Sequence, residues 1–178
     1  MLKISMKKIK KYYGTRLLLD IEDLKVYEND KIGIVGVNGV GKTTLLEIIN
    51  KNIDYDSGEL FYDKNTVIKY IPQLGEPSRK TISGKYASIF QVENKLNNNM
   101  SGGEKTRFKL AEGFENSNSL LLVDEPTNNL DIDGIGLVIK NFKAYKGPFL
   151  VVSHDRNFLD SVCNKILEID NARCIIYN

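Results

Sequence analysis

The sequence has few of the residues that mark a disulfide-stabilised or zinc-stabilised fold. Cys163 and Cys174 are the only cysteines among 178 residues, and His154 is the only histidine. These are too few for a structural zinc site, and the cysteine spacing is not that of a disulfide framework. We therefore expect a reduced, cytoplasmic protein.

The chain also lacks a strong charge imbalance and any long apolar run. Lysine and arginine outnumber aspartate and glutamate by only 25 to 23, which gives no bulk basicity from which to infer nucleic-acid binding. The lysines within 7–11 alternate with apolar and aromatic residues, which favours a solvated strand edge. The longest apolar runs, such as 149–152, are only as long as strands, so we expect no insertion into a membrane.

Periodicity predicts one α/β domain over residues 1–178. Short strand-like segments separated by turn residues fill the first 35 residues, with 17–20 and 21–27 predicted as separate segments. The later elements are predicted as helices over 102–114, 131–145 and 155–162, as buried strands over 120–123 and 149–152, and as a hairpin over 165–177. This alternation predicts a mainly parallel sheet flanked by helices, beside an antiparallel β subdomain.

The regular pattern weakens between residues 74 and 100. This segment contains Pro77, Gly84 and three consecutive asparagines, with one helix predicted over 85–96. We therefore divide the domain into a core of 1–73 and 101–178 and a short helical insert of 74–100.

Residues 36–43 fit the P-loop pattern G-x-x-x-x-G-K-[ST], between an apolar strand and a helix that begins at Lys42. Such a loop curls so that backbone N–H groups and the helix dipole converge on phosphate, while Lys42 adds a positive charge. The hydroxyl of Thr43 would then ligate Mg²⁺. The predicted phosphate-binding residues are Gly36, Val37, Asn38, Gly39, Val40, Gly41, Lys42, Thr43 and Thr44.

Asp124 and Glu125 end a buried strand, where ligands bind in open α/β sheets. In this Walker B pattern Asp124 would hold Mg²⁺, and Glu125 could orient and deprotonate an attacking water. The alternative is that these residues only cap the following helix, with Pro126 at its start. The P-loop favours the catalytic interpretation.

Three more side chains are candidates for the same site. His154 follows the second buried strand, so its imidazole could sense a terminal phosphate, although a lone histidine can also be structural. Gln73 follows the strand predicted over 67–71 and could reach metal or water, or be an ordinary turn residue. Tyr13 could stack on adenine, but Tyr12 is an equally suitable aromatic on the opposite strand face.

The stretch Ser101-Gly102-Gly103-Glu104 resembles the signature motif of ABC-type ATP-binding domains. The ordered set of Tyr13, residues 36–43, Gln73, the signature stretch, Asp124 with Glu125, residues 128–131 and His154 is similar to the full motif series of that family. The resemblance covers essentially the whole chain. It implies ATP and Mg²⁺ as cofactors and ATP hydrolysis as the activity.

The family resemblance also implies that Ser101, Gly102, Gly103, Glu104 and Asp131 contact the nucleotide of an opposite domain in a head-to-tail pair. A helix N-terminus at Ser101 suits an anion. Ser101 and Glu104 also fit a capping box, and both roles can hold together. Since the chain holds one motif set, it must pair with a second domain. We expect a piece covering the amino-terminal domain of a twin-domain protein, with homodimerisation as the alternative.

The residues within these motifs are similar to those of the ABC-F branch. Members of that branch are soluble twin-domain ATPases that act on the ribosome, and some of them confer antibiotic resistance. The 101–107, 124–131 and 152–160 stretches carry this resemblance. One alternative is the ATP-binding subunit of a membrane transporter, for which the insert of 74–100 is short. Another is a module that binds ATP without turnover, against which Glu125 and His154 argue.

Overall fold

The computed structural model describes residues 1–115 and 119–177. Its strands are β1 (Leu2–Tyr13), β2 (Arg16–Tyr27), β3 (Lys31–Val35), β4 (Ser57–Tyr62), β5 (Ile68–Ile71), β6 (Leu120–Asp124), β7 (Phe149–Val152), β8 (Lys165–Asp170) and β9 (Arg173–Tyr177). Its helices are α1 (Lys42–Ile49), α2 (Gly84–Phe90), α3 (Gly102–Phe114), α4 (Ile132–Ala144) and α5 (Arg156–Val162). The predicted α/β class is confirmed.

The strands of the described residues form one sheet in the order β4-β1-β2-β9-β8-β3-β7-β6-β5. The half from β8 to β5 is parallel, while β1 pairs antiparallel with both β2 and β4, and β8 with β9. In the parallel half, Val152 pairs with Ile34 on one side and with Asp124 on the other. The loops that follow β3, β6 and β7 therefore leave the sheet at one edge.

Two apolar clusters lie on opposite faces of the parallel half. Because side chains alternate along a strand, Leu120 and Leu122 of β6 belong to one cluster and Leu121 and Val123 to the other. The first cluster buries α1 between the parallel strands and the β1–β2 pair, and the second packs α3, α4 and α5 on the other face. Helix α1 and the loop before it are thus held on both sides.

Three local predictions need correction. The segments 17–20 and 21–27 form the single strand β2, because the alternation of buried and exposed residues continues without a turn. The helix predicted over 85–96 ends at Phe90, where Gln91 takes a left-handed conformation (φ 52°) and the chain folds back so that Lys95 bridges Thr81. The lysines of β1 do not lie on a sheet edge, because β4 and β2 flank that strand.

Candidate nucleotide-binding site

The loop between β3 and α1 is shaped by glycine and closed by its own lysine. Gly41 lies at φ 114°, and a Cβ added there would lie 2.9 Å from the Leu19 side chain, so both conformation and space require glycine. The Lys42 amine donates to the carbonyls of Gly36 at 2.8 Å and Val37 at 3.1 Å. Backbone N–H groups at the start of α1 and the Lys42 charge together suit phosphate oxygens.

Thr43 and Asp124 meet at the start of α1. The Thr43 hydroxyl donates to Asp124 Oδ2 at 2.7 Å, although the two residues are far apart in sequence. Burial raises the pKa of Asp124, and the bond from Thr43 and the charge of Lys42 partly offset this effect. A hydroxyl beside a carboxylate is a set of oxygen donors that fits Mg²⁺, whose remaining positions are usually filled by phosphate and water.

Glu125 is turned into the site by an unusual backbone conformation. Its φ is 52°, in the left-handed region that side chains other than glycine seldom adopt. Two adjacent strand residues would normally point to opposite faces. Here the turn at Glu125 lets its carboxylate line the same cavity as Asp124.

The Glu125 carboxylate is buried and touches the only histidine. Burial raises the pKa of Glu125, an effect that His154 opposes. His154 Nε2 lies 3.4 Å from Oε1, and its backbone N–H donates to Oε2 at 3.4 Å. Among the described residues Oε1 accepts no hydrogen bond. A buried carboxylate with a spare oxygen and a raised pKa is suited to accept a proton.

These residues surround one cavity of about 630 Å³. Of the residues predicted from the sequence, it is lined by Tyr13, Asn38, Gly39, Gly41, Lys42, Thr43, Thr44, Gln73, Asp124, Glu125 and His154. Tyr12 is not among the lining residues, which favours Tyr13 as the aromatic that could stack on a base. Gly36, Val37 and Val40 belong to the loop but do not line the cavity.

The cavity also contains residues that sequence reasoning did not select. Arg16 and Asn128 both line it, and Arg16 Nη2 donates to the Gly39 carbonyl at 3.5 Å. Arg16 could have been selected from the sequence because it follows the turn after Tyr13, a predicted site residue. Asn128 belongs to the 128–131 stretch of the motif series, but it was assigned no role from the sequence. A guanidinium beside the phosphate loop adds positive charge to this end of the cavity.

The signature residues form a second, separate cavity of about 510 Å³. It is lined by Ser101, Gly102, Gly103, Glu104, Arg107, Asn129, Leu130 and Asp131, and it shares no residue with the first. A Cβ added at Gly103 would lie 2.9 Å from the Asn129 carbonyl, so the α3 N-terminus and the loop before α4 approach closely. The structure therefore brings Asp131 to the signature and keeps both away from the Lys42 loop.

The capping box predicted at the start of α3 is confirmed. The Ser101 hydroxyl accepts from the Glu104 N–H at 3.2 Å, and Glu104 Oε2 accepts from the Ser101 N–H at 2.8 Å. The latter bond is the main reason that the pKa of Glu104 is lowered. Asp131 caps α4 in a similar way, because its Oδ1 accepts from the Gly134 N–H at 2.8 Å. The N-termini of α3 and α4 are thus capped by side chains of the chain itself.

The chain is similar in sequence to a known protein family and to known proteins. The family model described as ABC transporter matches residues 19–98. The chain is 38% identical, over 85% of its length, to 31% of the erythromycin resistance ATP-binding protein MsrA of Staphylococcus epidermidis. It is 34% identical, over 84% of its length, to 28% of the ribosome protection protein VmlR of Bacillus subtilis. It thus spans about a third of the length of these relatives.

Solved structures share the fold. A dimeric ATP-binding cassette in a post-hydrolysis state, bound to ADP and Pi, superposes with a TM-score of 0.79 at 20% identity, with 98% of each chain covered. The ATP-binding subunit of an ABC transporter superposes with a TM-score of 0.83 at 17% identity, covering 99% of this chain and 90% of that one.

No helix within 1–115 and 119–177 is both long and apolar enough to cross a membrane. The family match and the motif series identify the chain as an ABC-type ATP-binding domain, whose fold the solved structures share, and the relatives named here belong to the ABC-F branch that the motifs predict.

Proposed function

We propose that this domain hydrolyses Mg-ATP in a site that is completed by a second ABC domain arranged head-to-tail. One observation carries the proposal: the cavity with Lys42, Asp124 and Glu125 and the cavity with the signature residues lie apart on the same chain. Two copies of such a surface, placed head-to-tail, would bring each signature to the other's phosphate loop.

In this proposal the predicted side chains of the first cavity bind the nucleotide, hold the metal ion or act on the attacking water. Lys42 and the N–H groups of α1 hold the β- and γ-phosphates, and Tyr13 stacks on the base. Thr43, Asp124 and Gln73 would hold Mg²⁺, which when bound supplies positive charge to the phosphate oxygens. Glu125 takes a proton from water, whose oxygen bonds to the γ-phosphorus as the bond to ADP breaks. His154, in contact with Glu125, orients that carboxylate and contacts the γ-phosphate.

Exposed apolar side chains beside the site support the pairing. Val37 is 72% exposed, Leu74 80% and Ile132 87%. Val37 lies in the phosphate loop after β3, Leu74 follows Gln73 after β5, and Ile132 follows the Asp131 cap. Large apolar side chains that surround a functional edge are typical of a surface that another protein covers.

We further propose that the whole protein, in the cytoplasm, acts on the ribosome, in antibiotic resistance or translation. The relatives named for ribosome protection and erythromycin resistance support this partner. The short insert also supports it, because α2 is a single helix of 7 residues and offers little surface with which to grip a membrane protein. The alternative is the ATP-binding subunit of a transporter, a fold that this chain shares.

Glu125→Gln in the protein at its natural length tests the proposal. The variant should bind Mg-ATP, lose turnover and accumulate in the ATP-bound pair, because the carboxylate that accepts the proton is gone. We expect it to sediment with ribosomes in Mg-ATP and not in Mg-ADP. Lys42→Ala, which should bind nucleotide weakly, is the matched control. Sedimentation with membrane vesicles and not with ribosomes would favour the transporter alternative.

The isolated chain tests the requirement for a partner. Because one copy cannot complete a site, turnover per chain should be slow and should rise with chain concentration. Fast turnover that does not depend on concentration would contradict the head-to-tail proposal.

A further inference from the structure

Helix α3 holds the loop after β5 along one helix face. Lys105 Nζ lies 3.0 Å from Glu76 Oε1, Lys109 bonds the loop backbone, and Glu112 Oε2 accepts from the Ser78 N–H at 3.1 Å. Positions 105, 109 and 112 are four and three residues apart, so they share a face of the helix. The loop that carries Gln73 is thus fixed to the helix that presents Ser101.

Lys109 makes the central contact of this face. Its amine donates to the carbonyl of Pro72 at 3.0 Å and to that of Gln73 at 3.0 Å. The second of these bonds reaches the backbone of Gln73 itself. The amine is half-buried, and burial lowers its pKa. An ammonium or a neutral amine has enough N–H groups for both carbonyls, so the tether does not depend on its charge.

The other end of α3 is rigidly placed. A Cβ at Gly113 would lie 2.4 Å from Ile71 Cδ1, so the helix packs directly on the last residue of β5. From Lys109 to Ser101 the helix is continuous and ends in the capping box. About 12 Å of continuous helix thus separates the Lys109 contact with the Gln73 backbone from the signature cavity.

We propose that Lys109 is a positioning residue that couples the Gln73 loop to the signature helix, so that nucleotide contact at Gln73 and presentation of Ser101 to a partner domain change together. This inference rests on the proposed function for the roles of Gln73 and Ser101. It assigns a role to a residue that touches neither the nucleotide cavity nor the signature cavity. The coupling is carried by contact of one side chain with two backbone carbonyls.

The test compares Lys109→Met, Lys109→Arg and Lys140→Met in the protein at its natural length. Methionine keeps an unbranched stem and removes the donors, arginine keeps donors, and Lys140 is an exposed lysine of α4 that serves as the control. Lys109→Met should lower kcat about tenfold and leave KM for ATP within about twofold, because the phosphate contacts remain. Lys109→Arg should restore most of kcat, and Lys140→Met should behave as wild type.

A loss confined to folding would appear as a lowered Tm with kcat unchanged in the folded fraction, and that result would overturn the proposal. Amide hydrogen exchange supplies a readout that does not need turnover. Lys109→Met should raise exchange at Ser78, whose N–H donates to Glu112 in the same contact between the loop and α3, and should remove the effect of Mg-ATP on the exchange of 102–106. If the wild-type protein hydrolyses no ATP, the proposed function fails, and unchanged exchange in Lys109→Met would separately reject the tether.

Discussion

The two cavities of this domain differ in how much of their chemistry is complete. The one around Lys42 holds buried carboxylates whose pKa values are raised, a lysine and a hydroxyl in contact with Asp124. The one at the α3 N-terminus includes the exposed Ser101 and two glycines, and there Ser101 and Glu104 bond each other in the capping box. The carboxylates that could take part in proton transfer line the first cavity, and the second cavity has the N-terminus of α3 instead.

This difference supports the proposal that a second domain completes the site. Buried acids and a cavity are what proton transfer requires, so the Lys42 side can bind nucleotide with its own residues. A helix N-terminus with free N–H groups can bind an anion but cannot accept a proton from water. Substitutions on the two sides should therefore separate binding from turnover.

The largest effect is expected at Glu125. Glu125→Gln keeps the shape of the side chain but cannot accept a proton, so kcat should fall about a hundredfold or more while ATP affinity stays near wild type. Steady-state hydrolysis and equilibrium binding measure the two quantities. Unchanged turnover would reject Glu125 as the base.

The next effect is a loss of affinity at Lys42. Lys42→Ala removes a charged hydrogen-bond donor from the phosphate loop, so ATP should bind about tenfold to a hundredfold more weakly. Isothermal titration measures the change. Lys51→Ala, which removes an exposed lysine just beyond the end of α1, is the control and should bind ATP as the wild type does.

A substitution in the signature motif should lower turnover and leave ATP affinity unchanged, the reverse of what we expect for Lys42→Ala. Gly103→Val introduces a side chain where even a Cβ would lie only 2.9 Å from the Asn129 carbonyl oxygen, so the α3 N-terminus must shift. We expect turnover to fall about tenfold with ATP affinity unchanged, because the phosphate loop of the same chain is untouched. A matching loss of ATP affinity would mean that the two cavities are not separate in function.

The smallest effect is on pH dependence. Glu125 must be ionised to accept a proton, so kcat should decline as pH falls through its pKa. Because burial raises that pKa above the ordinary value of 4.5, the decline should begin at a higher pH than for an ordinary glutamate. A kcat profile measures it, and the residual activity of Glu125→Gln should lack this limb.

Much of the fold followed from local pattern. The P-loop helix, the buried strands β6 and β7 and the terminal hairpin were predicted because apolar runs and turn residues are locally unambiguous there. The insert was predicted less well. Its helix ends at a left-handed Gln91, a conformation set by the return of the chain to the Thr81 bridge and not by residue type.

The site shows the same limit. Asp124, His154 and Gln73 could be predicted to share an edge, because parallel strands end together. The left-handed turn at Glu125 and the bonds from Lys109 to the Gln73 loop could not, since both depend on contacts between segments far apart in sequence. The separation of the two cavities was implied only by the family resemblance. The structure shows that the two cavities have no lining residue in common.

The most direct test of the central claim mixes two impaired forms of this chain. Glu125→Gln has an intact signature, and Gly103→Val has an intact Glu125 and Lys42 loop. Glu125→Gln alone should be nearly inactive and Gly103→Val should keep about a tenth of the wild-type turnover. Random pairing in an equal mixture should raise turnover to about a quarter of the wild-type value, because half of the pairs are mixed and each mixed pair contains one complete site. A mixture no more active than its parts, at a concentration where the wild type turns over, would contradict the account.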